Sequence, residues 1–553
     1  MIRNGPHAAR LLLGASCALL GLAAASAYAQ APQHGTGESI YLRGILPSGA
    51  PLEGERQTGD LTARGADAAC VNCHQRSGLG SIEGSIFIPP ITTEYLFHAR
   101  GHGPDDPVLP YVASQRNRDP YTGATLARAI REGLDPTGRP LSFLMPRYAL
   151  SDTDMAALTG YLKTLAVHRS PGVTDTVLHL ATIVTPDADP AKRSGVLDVL
   201  THYVADKNTF PFGPSPRMRT SGKTAYSKSM YMANLRWQLH VWELTGRAET
   251  WSEQLERHLR DEPVFAVLSG VGGSNWTPVH EFCERNALPC LFPNVEVPVE
   301  GEGDFYSLYF SRAVLLEAAM IATHIARPEK DQPGIIVEQI YRTGDSGEAA
   351  ARALAAKLTG QGVTVHDRPI APSATARAVS AAVHEAAKAR VLVLWLRPRD
   401  LAALGSPPSE QTAVYLSGIM GGLENAPLPA SWRARSILAY PFDLPDRRGV
   451  RLDYPLGWFS FRHIPVVALQ AQADTFLACS LLSETTHDLA DAYIRPYLIE
   501  ELQRMLERRI MTGYYPHLAL TYHERFASKG GYLAHFADAS GTRLVADGDW
   551  TVP

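Results

Sequence analysis

The pattern Cys70-Val71-Asn72-Cys73-His74 has the residue types and spacing that most directly indicate chemistry in this chain. Two thiols one helical turn apart form the attachment sequence for c-type haem, because they reach the two vinyl groups on one edge of the porphyrin. The histidine that follows then directs its ring at the iron. The pattern predicts one covalent haem c on Cys70 and Cys73, with His74 as an axial ligand.

A zinc site is the main alternative for these cysteines, because His98 and His102 follow them and complete a set of four zinc-ligand types. The gap between Cys73 and His98 is longer than in a usual zinc finger, and a finger leaves His74 without a role. A thioredoxin-like redox pair fits less well, since no strand–helix–strand pattern surrounds the cysteines. Haem attachment remains the favoured interpretation.

Met145 is the predicted sixth ligand of the haem iron. It lies in the stretch Leu144-Met145-Pro146, where an extended backbone allows the thioether to reach the metal. Ser151 then has the character of a helix N-cap, with acidic residues in the first turn. Ligation by His and Met raises the haem potential and suits electron transfer. His98 and His102 are rival ligands, and packing in the core is the alternative role for Met145.

The haem pattern, then Met-Pro-x-Tyr-x-Leu-Ser-Asp-x-Asp from Met145, then a helix ending Tyr-Leu-Lys-Thr-Leu, resembles the single-haem cytochrome c family. The resemblance covers residues 36–168 and departs from small members in the long stretch between His74 and Met145. It implies an all-α domain that transfers single electrons. It also implies a redox partner protein, either a periplasmic dehydrogenase or another cytochrome.

Residues 1–29 have the pattern of a cleavable signal peptide. Arg3 and Arg10 give a positive start, residues 11–25 are mostly apolar, and Ala27-Tyr28-Ala29 is a small-residue cleavage site. A retained anchor is the alternative, but the apolar run is short for a bilayer-spanning helix. The pattern predicts export to the periplasm and a mature chain without a membrane span.

Composition and length describe a multidomain globular protein. The chain has 553 residues, 45% of them hydrophobic and 20% charged, with a formal net charge of −4. At about 150 residues per domain, this length predicts roughly three or four domains. The charge balance gives no indication of a nucleic-acid partner.

A linker is predicted at residues 169–175, and the pattern changes beyond it. Buried-strand runs such as Val177–Val184, Val264–Gly270 and Gly334–Tyr341 alternate with helical stretches over residues 176–553. Such alternation is typical of βαβ units and mainly parallel sheets. So long a segment exceeds one sheet domain, which predicts two α/β lobes.

Residues 176–553 contain none of these catalytic motifs: a dinucleotide fingerprint, a P-loop or a nucleophile elbow. Gly270-Val271-Gly272-Gly273-Ser274-Asn275 follows a strand but has asparagine where a dinucleotide fingerprint needs its last glycine. Neither a phosphate-binding P-loop nor a nucleophile elbow occurs. The expectation is an electron carrier and binding protein rather than an enzyme, and no catalytic residue is assigned.

The order of elements in residues 176–553 resembles the type I periplasmic solute-binding proteins of branched-chain amino-acid transporters. The run Val264–Gly270, the helix after it and Leu288–Pro293 match that family's third strand, helix and fourth strand. Ile335–Tyr341 with its following loop matches the first strand of the second lobe. The charged stretch Arg397–Asp400 is a departure from the family pattern.

This second resemblance implies a cleft between the lobes that binds a small-molecule solute. Helix N-termini in such a cleft bind carboxylates, and an arginine can pair with an anion bidentately. The alternative to ligand binding is that the arginines pair with nearby aspartates and that the tryptophan packs in the core. The candidate ligand-binding residues are Ser274, Asn275, Trp276, Asn294, Asp345, Ser346, Arg397 and Arg399.

Cys283 and Cys290 are a predicted disulfide across a short helix-to-strand loop. Export places them in an oxidising compartment. A bond there contributes roughly 2 kcal/mol. Two buried thiols are the alternative.

The leading hypothesis is a periplasmic electron-transfer protein in which a haem domain is fused to a solute-binding-like domain. In one alternative the chain is the electron-relay subunit of a periplasmic dehydrogenase. In another it is a ligand or redox sensor without significant electron flux.

Overall fold

The computed structural model describes residues 35–56, 61–83, 86–98, 119–165, 168–209, 235–326, 334–489, 492–521 and 523–553. The predicted signal peptide and His102 lie outside these ranges. Among the described helices none is long and apolar enough to cross a membrane.

Residues 36–168, which the sequence predicts to attach haem and which are called the haem segment below, combine helices with short strands. Its elements are α1 (Thr36–Arg43), β1 (Glu53–Glu55), β2 (Thr62–Arg64), α2 (Val71–His74), β3 (Ser81–Glu83), β4 (Ile86–Ile88), α3 (Thr93–Phe97), α4 (Gly123–Glu132), β5 (Arg147–Tyr148) and α5 (Asp152–Leu162). Antiparallel strands form one sheet of order β2-β1-β5 and a β3–β4 hairpin. The expectation of an all-α domain is therefore wrong here, because the extended chain after Met145 pairs Arg147 and Tyr148 with β1.

Helices α1 and α5 pack closely and close one side of this segment. A Cβ atom at Gly37 would collide with the carbonyl group of Ala157, so glycine permits this approach. The rings of Tyr41 and Tyr161 meet with centroids 5.1 Å apart. The Ser151 hydroxyl accepts a hydrogen bond from Asp154 N at 3.1 Å, which confirms the predicted N-cap.

The first α/β lobe is built on a parallel sheet of order β10-β9-β8-β6-β7. Its buried strands come from continuous apolar runs, as parallel sheets require. Its elements are β6 (Val177–Val184), α6 (Pro190–Thr209), β7 (Arg236–Glu243), α7 (Trp251–Asp261), β8 (Ala266–Leu268), α8 (Thr277–Arg285), β9 (Cys290–Leu291) and β10 (Ser307–Leu308).

The second lobe has the sheet order β12-β11-β13-β14-β15-β16-β17. Its strands are β11 (Ile335–Arg342), β12 (Val363–Ile370), β13 (Val391–Trp395), β14 (Ala413–Ser417), β15 (Ser436–Tyr440), β16 (Tyr532–Phe536) and β17 (Leu544–Ala546). The pairs from β12 to β15 are parallel, and β16 and β17 add antiparallel pairs. Its helices are α9 (Val314–Ile325), α10 (Ser346–Leu358), α11 (Ala376–Ala386), α12 (Pro398–Leu401), α13 (Gly418–Gly421) and α14 (Ala430–Arg433).

The chain passes between the lobes after β10, after β15 and again before β16. The helices α15 (Pro445–Phe461), α16 (Leu469–Asp488) and α17 (Arg495–Arg508) return to the first lobe. There Thr475 of α16 meets Ser269, with their hydroxyl oxygens 2.8 Å apart. Two crossing segments run side by side, with Ala527 N donating to Tyr309 O at 3.0 Å. These sheets and crossings confirm the predicted two-lobed α/β domain with mainly parallel sheets.

Helix α17 attaches the haem segment to the large domain. Ser77, three residues after His74, donates from its backbone nitrogen and its hydroxyl to the Glu500 carboxylate, at 2.8 and 2.5 Å. Leu79 is buried in the same core cluster as Leu180 of the first lobe. In the predicted linker, a Cβ at Gly172 would collide with the chain at Phe265. The linker residues are therefore packed against the first lobe.

Candidate functional site

Cys70, Cys73, His74 and Met145 line one cavity of about 410 Å³ in the haem segment. A volume of this size lies within the ~300–1,000 Å³ of typical ligand pockets. The four side chains come from two stretches that lie far apart in the sequence. Apolar side chains make up most of the remaining wall, including those of Leu52, Ile88, Leu96, Leu126, Ile130, Leu144, Leu158 and Leu162.

The His74 ring is held by the backbone. Its Nδ1 atom lies 3.2 Å from the carbonyl oxygen of Pro89, so Nδ1–H is the donor and Nε2 keeps a free lone pair. Burial lowers the pKa of His74 to about 4, which keeps the ring neutral, the form that ligates a metal. Pro89 carries the orienting contact that sequence reasoning missed, since nothing in Pro89-Pro90 indicates which carbonyl meets His74.

The two cysteines lie at the start and within the first turn of α2. Cys70 is its N-cap residue and Cys73 follows one turn later, and neither is in a disulfide. Burial raises the pKa of Cys70 to about 12, so its sulfur stays protonated. Zinc binds cysteine as the thiolate, so a raised pKa of Cys70 disfavours the zinc alternative. Among the described residues, Cys70, Cys73 and His98 do not form a group with metal-binding spacing.

Met145 lines the same cavity as the cysteines and lies on the chain leading into β5. Its backbone nitrogen donates to Ser142 O at 3.0 Å, which turns the chain toward the cavity. The Tyr148 hydroxyl donates to Ala68 O at 3.0 Å and joins this stretch to the chain just before Cys70. Met155 is instead buried in the core of the segment and does not line the cavity.

These residues fit a covalently held haem. Both thiols, an imidazole with a fixed tautomer and a thioether share one largely apolar space. The donor set is that of His and Met ligation in electron-transfer cytochromes.

A charged network bridges the two lobes at the predicted ligand cleft. Arg397, after β13, binds Glu296 of the first lobe through Nη1–Oε1 at 3.0 Å and Nη2–Oε2 at 2.7 Å. Its Nε also donates to Asp345 Oδ2 at 2.9 Å. Lys192 Nζ donates to Glu296 Oε1 at 2.6 Å. Burial opposes ionisation, but Lys192 and Arg397 outweigh it and hold the pKa of Glu296 well below its usual range.

Most of the predicted ligand residues already have protein partners. Ser274 N donates to Asp187 Oδ2 at 3.0 Å, and Asn275 Oδ1 accepts from Thr277 N at 3.1 Å. The Trp276 ring is buried against Gly270. These loops are therefore packed rather than open.

On the facing lobe, Asp345 caps α10 by accepting from Ser346 N at 2.7 Å and also binds Arg397. The Arg399 side chain is 68% exposed and points away from this network, 4.0 Å from Asp400. The structure therefore brings Asp345 and Arg397 together as partners of each other, and it leaves Arg399 outside the cleft.

A cavity of about 50 Å³ lies between the lobes, and of the predicted residues Asn294 lines it. It is well below the ~300–1,000 Å³ of typical ligand pockets. Asp474 and Tyr515, which sequence reasoning missed, also line it. They come from a helix and a loop far along the chain, and no motif marks them.

The predicted disulfide between Cys283 and Cys290 is not formed, and both residues are buried thiols. Burial, with a contact from the Cys290 thiol, raises the pKa of Cys283 well above its usual value. Thiol oxidation needs a thiolate and access for the oxidant. Burial denies both to Cys283.

No family model matches the chain, and no curated protein matches it. Several solved structures do match the chain. A fatty acid ABC transporter substrate-binding protein from Thermomonospora curvata is 14% identical, with 70% of this chain and 95% of that chain covered, at a TM-score of 0.47. A branched chain amino acid ABC transporter protein from Thermus thermophilus with bound valine is 11% identical, with 69% and 98% covered, at 0.48.

A leucine binding protein from Thermotoga maritima is 12% identical, with 67% of this chain and 98% of that chain covered, at a TM-score of 0.46. Identities and scores this low carry no ligand over to this chain. The strand orders and lobe crossings of the large domain define a two-lobed α/β fold with mainly parallel sheets.

Proposed function

We propose that this chain is a periplasmic electron-transfer protein that holds one haem c on Cys70 and Cys73, with His74 and Met145 as axial ligands. The observation that carries the proposal is the meeting of these four side chains in one largely apolar cavity of about 410 Å³. The export pattern at residues 1–29 agrees with assembly of c-type haem outside the cytoplasm.

Bound haem supplies reversible one-electron oxidation and reduction of its iron. The protein side chains position and tune that group. Pro89 O orients His74, and the same hydrogen bond makes the ring a stronger electron donor. The thioether of Met145 would favour the reduced iron and so raise the potential of the bound haem. The apolar wall keeps water from the centre and raises the potential further.

The large domain binds a small solute or a redox partner in this proposal. Its two lobes enclose a cleft, and the haem segment is fastened to the first lobe by the Ser77–Glu500 contact. A movement of the lobes would be transmitted through α17 to the chain that follows His74. Ligand binding in the cleft is therefore expected to alter the haem potential or its reduction rate.

The first experiment is to purify the exported protein, stain it for covalent haem and record visible spectra with and without a reductant. We expect one haem per chain and reduced bands of a low-spin c-type cytochrome. The Cys70→Ser, Cys73→Ser double variant is expected to lose the haem stain. A Cys479→Ser variant is the matched control, because that thiol is buried in the large domain. A wild-type protein without covalent haem refutes the proposal.

A second candidate is the electron-relay subunit of a periplasmic dehydrogenase, with the large domain as a docking module. The narrow cleft favours it, because Arg397, Glu296 and Asp345 bind one another where a solute is expected. Affinity purification of the holoprotein from its host tests it. Recovery of a dehydrogenase that reduces the haem supports this role, and tight solute binding without such a partner contradicts it.

A further inference from the structure

The small cavity between the lobes is lined mainly by hydrogen-bond acceptors and aromatic rings. It holds about 50 Å³, beside the Lys192–Glu296 pair and between the first-lobe loop at Asn294 and helix α16. One water molecule accounts for about 30 Å³ of liquid. The space therefore admits a water, an ion or a ligand group of one or two non-hydrogen atoms.

Asp474 provides a buried carboxylate with one free oxygen. The residue is 4% exposed, and Oδ2 accepts from the Tyr515 hydroxyl at 2.8 Å and from Gln470 Nε2 at 2.5 Å. Oδ1 has no hydrogen-bond partner in the part of the chain that the structure describes. A buried polar atom without a partner is costly, so a ligand that donates to Oδ1 gains this unmet interaction.

The neighbouring amides also offer acceptors to the cavity. Asn294 Nδ2 donates to Ser269 Oγ at 2.9 Å and to Thr475 Oγ1 at 3.2 Å, which leaves its Oδ1 as an acceptor. Gln470 uses its Nε2 on Asp474 and likewise keeps a carbonyl oxygen. The lining cation Lys192 is paired with Glu296. The cavity thus presents acceptors and favours a ligand that only donates.

Aromatic rings form another wall of the same space. Phe310, Phe442 and Tyr515 line the cavity, and the Phe310 and Phe442 centroids each lie 5.5 Å from that of Tyr515. Ring faces attract cations, and clusters of aromatic side chains bind ammonium groups in this way. A carboxylate, amide acceptors and aromatic rings around so small a space match a compact organic cation.

We propose that this cavity binds the ammonium group of a small amine, of the size of methylammonium. Its N–H groups would donate to Asp474 Oδ1 and to the amide oxygens, while its methyl group would contact the rings. The inference rests on the proposed solute-binding role of the large domain and is independent of the haem.

The test is calorimetric titration of the purified holoprotein at pH 8, above the pKa of about 7 that burial gives Asp474, so that its carboxylate is charged. Methylammonium chloride is the titrant, and sodium chloride and potassium chloride at equal ionic strength are the controls. We expect saturable binding of methylammonium and no saturable heat from the metal ions. Asp474→Asn keeps the shape of the side chain but loses the charge, and affinity is expected to fall about tenfold or more. Exposed Asp453→Asn is the matched control and keeps wild-type affinity.

Tyr515→Phe is the second variant, because it keeps the ring and removes only the hydroxyl that fixes Asp474. A several-fold loss of affinity in a Tyr515→Phe protein that still unfolds cooperatively supports the site. Absence of saturable methylammonium binding, an equal response to sodium or potassium, or unchanged affinity in Asp474→Asn overturns it. The haem spectra of the same samples report on the electron-transfer proposal separately. A failure here with normal spectra leaves that proposal standing.

Discussion

At the scale of single residues, two methionines of the haem segment separate by environment. Met145 lines the cavity of about 410 Å³, whereas Met155 is buried in the surrounding core. Both are apolar and adaptable side chains, so residue type alone does not distinguish a ligand from a packing residue. Of the two, Met145 shares a cavity with Cys70 and His74.

Met145→Ala is expected to remove the near-infrared sulfur–iron band of the oxidised protein while covalent haem is retained. The potential should fall by on the order of 0.1 V, within the ~0.8 V range that axial ligands set. Absorption spectroscopy measures the band, and potentiometric titration measures the potential. Met155→Leu is the control and should keep the band. A Met145→Ala protein that retains the band eliminates Met145 as a ligand.

Two arginines two residues apart provide a second comparison at this scale. Arg397 binds Glu296 and Asp345 across the cleft, whereas Arg399 is mostly exposed. Arg397→Met removes the cation that binds Asp345 and leaves Glu296 with Lys192 alone, and the free energy of unfolding should fall by about 2–3 kcal/mol. Arg399→Met should change it by less than about 0.5 kcal/mol. Urea unfolding followed by tryptophan fluorescence distinguishes them, and equal effects contradict a bridging role for Arg397.

At the scale of elements, helix α17 links parts of the molecule that are remote in sequence. Its Arg495 side chain donates to Val264 O at 2.7 Å, and its Glu500 accepts from Ser77. Ser170 accepts from Arg495 N at 3.1 Å. One helix therefore contacts the first lobe, the linker and the haem segment.

Ser77→Ala tests this connection. Loss of the hydroxyl leaves one oxygen of buried Glu500 without its donor, which should cost about 1–3 kcal/mol. Hydrogen exchange should quicken in the chain from Ser77 to Leu79, as mass spectrometry of the holoprotein can measure. Ser460→Ala, at an exposed site on α15, serves as the reference substitution. Unchanged exchange around Ser77 would show that the packing of Leu79 alone holds the segment.

At the scale of the whole molecule, several buried carboxyls favour their protonated form. Burial raises the pKa of Glu317 to about 8, and it raises the pKa values of Asp474 and Glu500 to about 7. Glu317 joins α9 to the start of α13, because its Oε1 accepts from Ile419 N at 2.8 Å. These groups keep their protons in the folded state at pH values where the unfolded chain has released them.

Stability should consequently fall as pH rises. Near pH 4 and below, a glutamate with an unfolded pKa of about 4.3 is protonated in both states, and the stabilising contribution is complete. Between that value and about 8 the unfolded state binds fewer protons, so the free energy of unfolding decreases with pH. Glu317→Gln should flatten this part of the profile, whereas exposed Glu385→Gln should not. Thermal melts from pH 5 to 8 measure both, and parallel profiles for wild type and Glu317→Gln refute the assignment.

Local spacing in the sequence was enough to predict Cys70, Cys73 and His74 as candidate haem-binding residues. It was also enough to predict the parallel sheets of the two lobes. Two thiols and an imidazole within one helical turn must face the same way, and buried parallel strands need continuous apolar runs. The all-α expectation failed at Arg147 and Tyr148, because strand pairing depends on a partner that is distant along the chain.

The sequence by itself determined which residues could attach a haem and that two α/β lobes follow, because both properties depend on neighbours in the chain. The tertiary structure alone decided that Pro89 orients His74, that Glu500 holds Ser77 and that Arg397 closes on Glu296. It also decided that Asp474 keeps an unpartnered oxygen in the cleft. Each of these contacts joins groups far apart in sequence, and folding brings such groups together without leaving a local pattern.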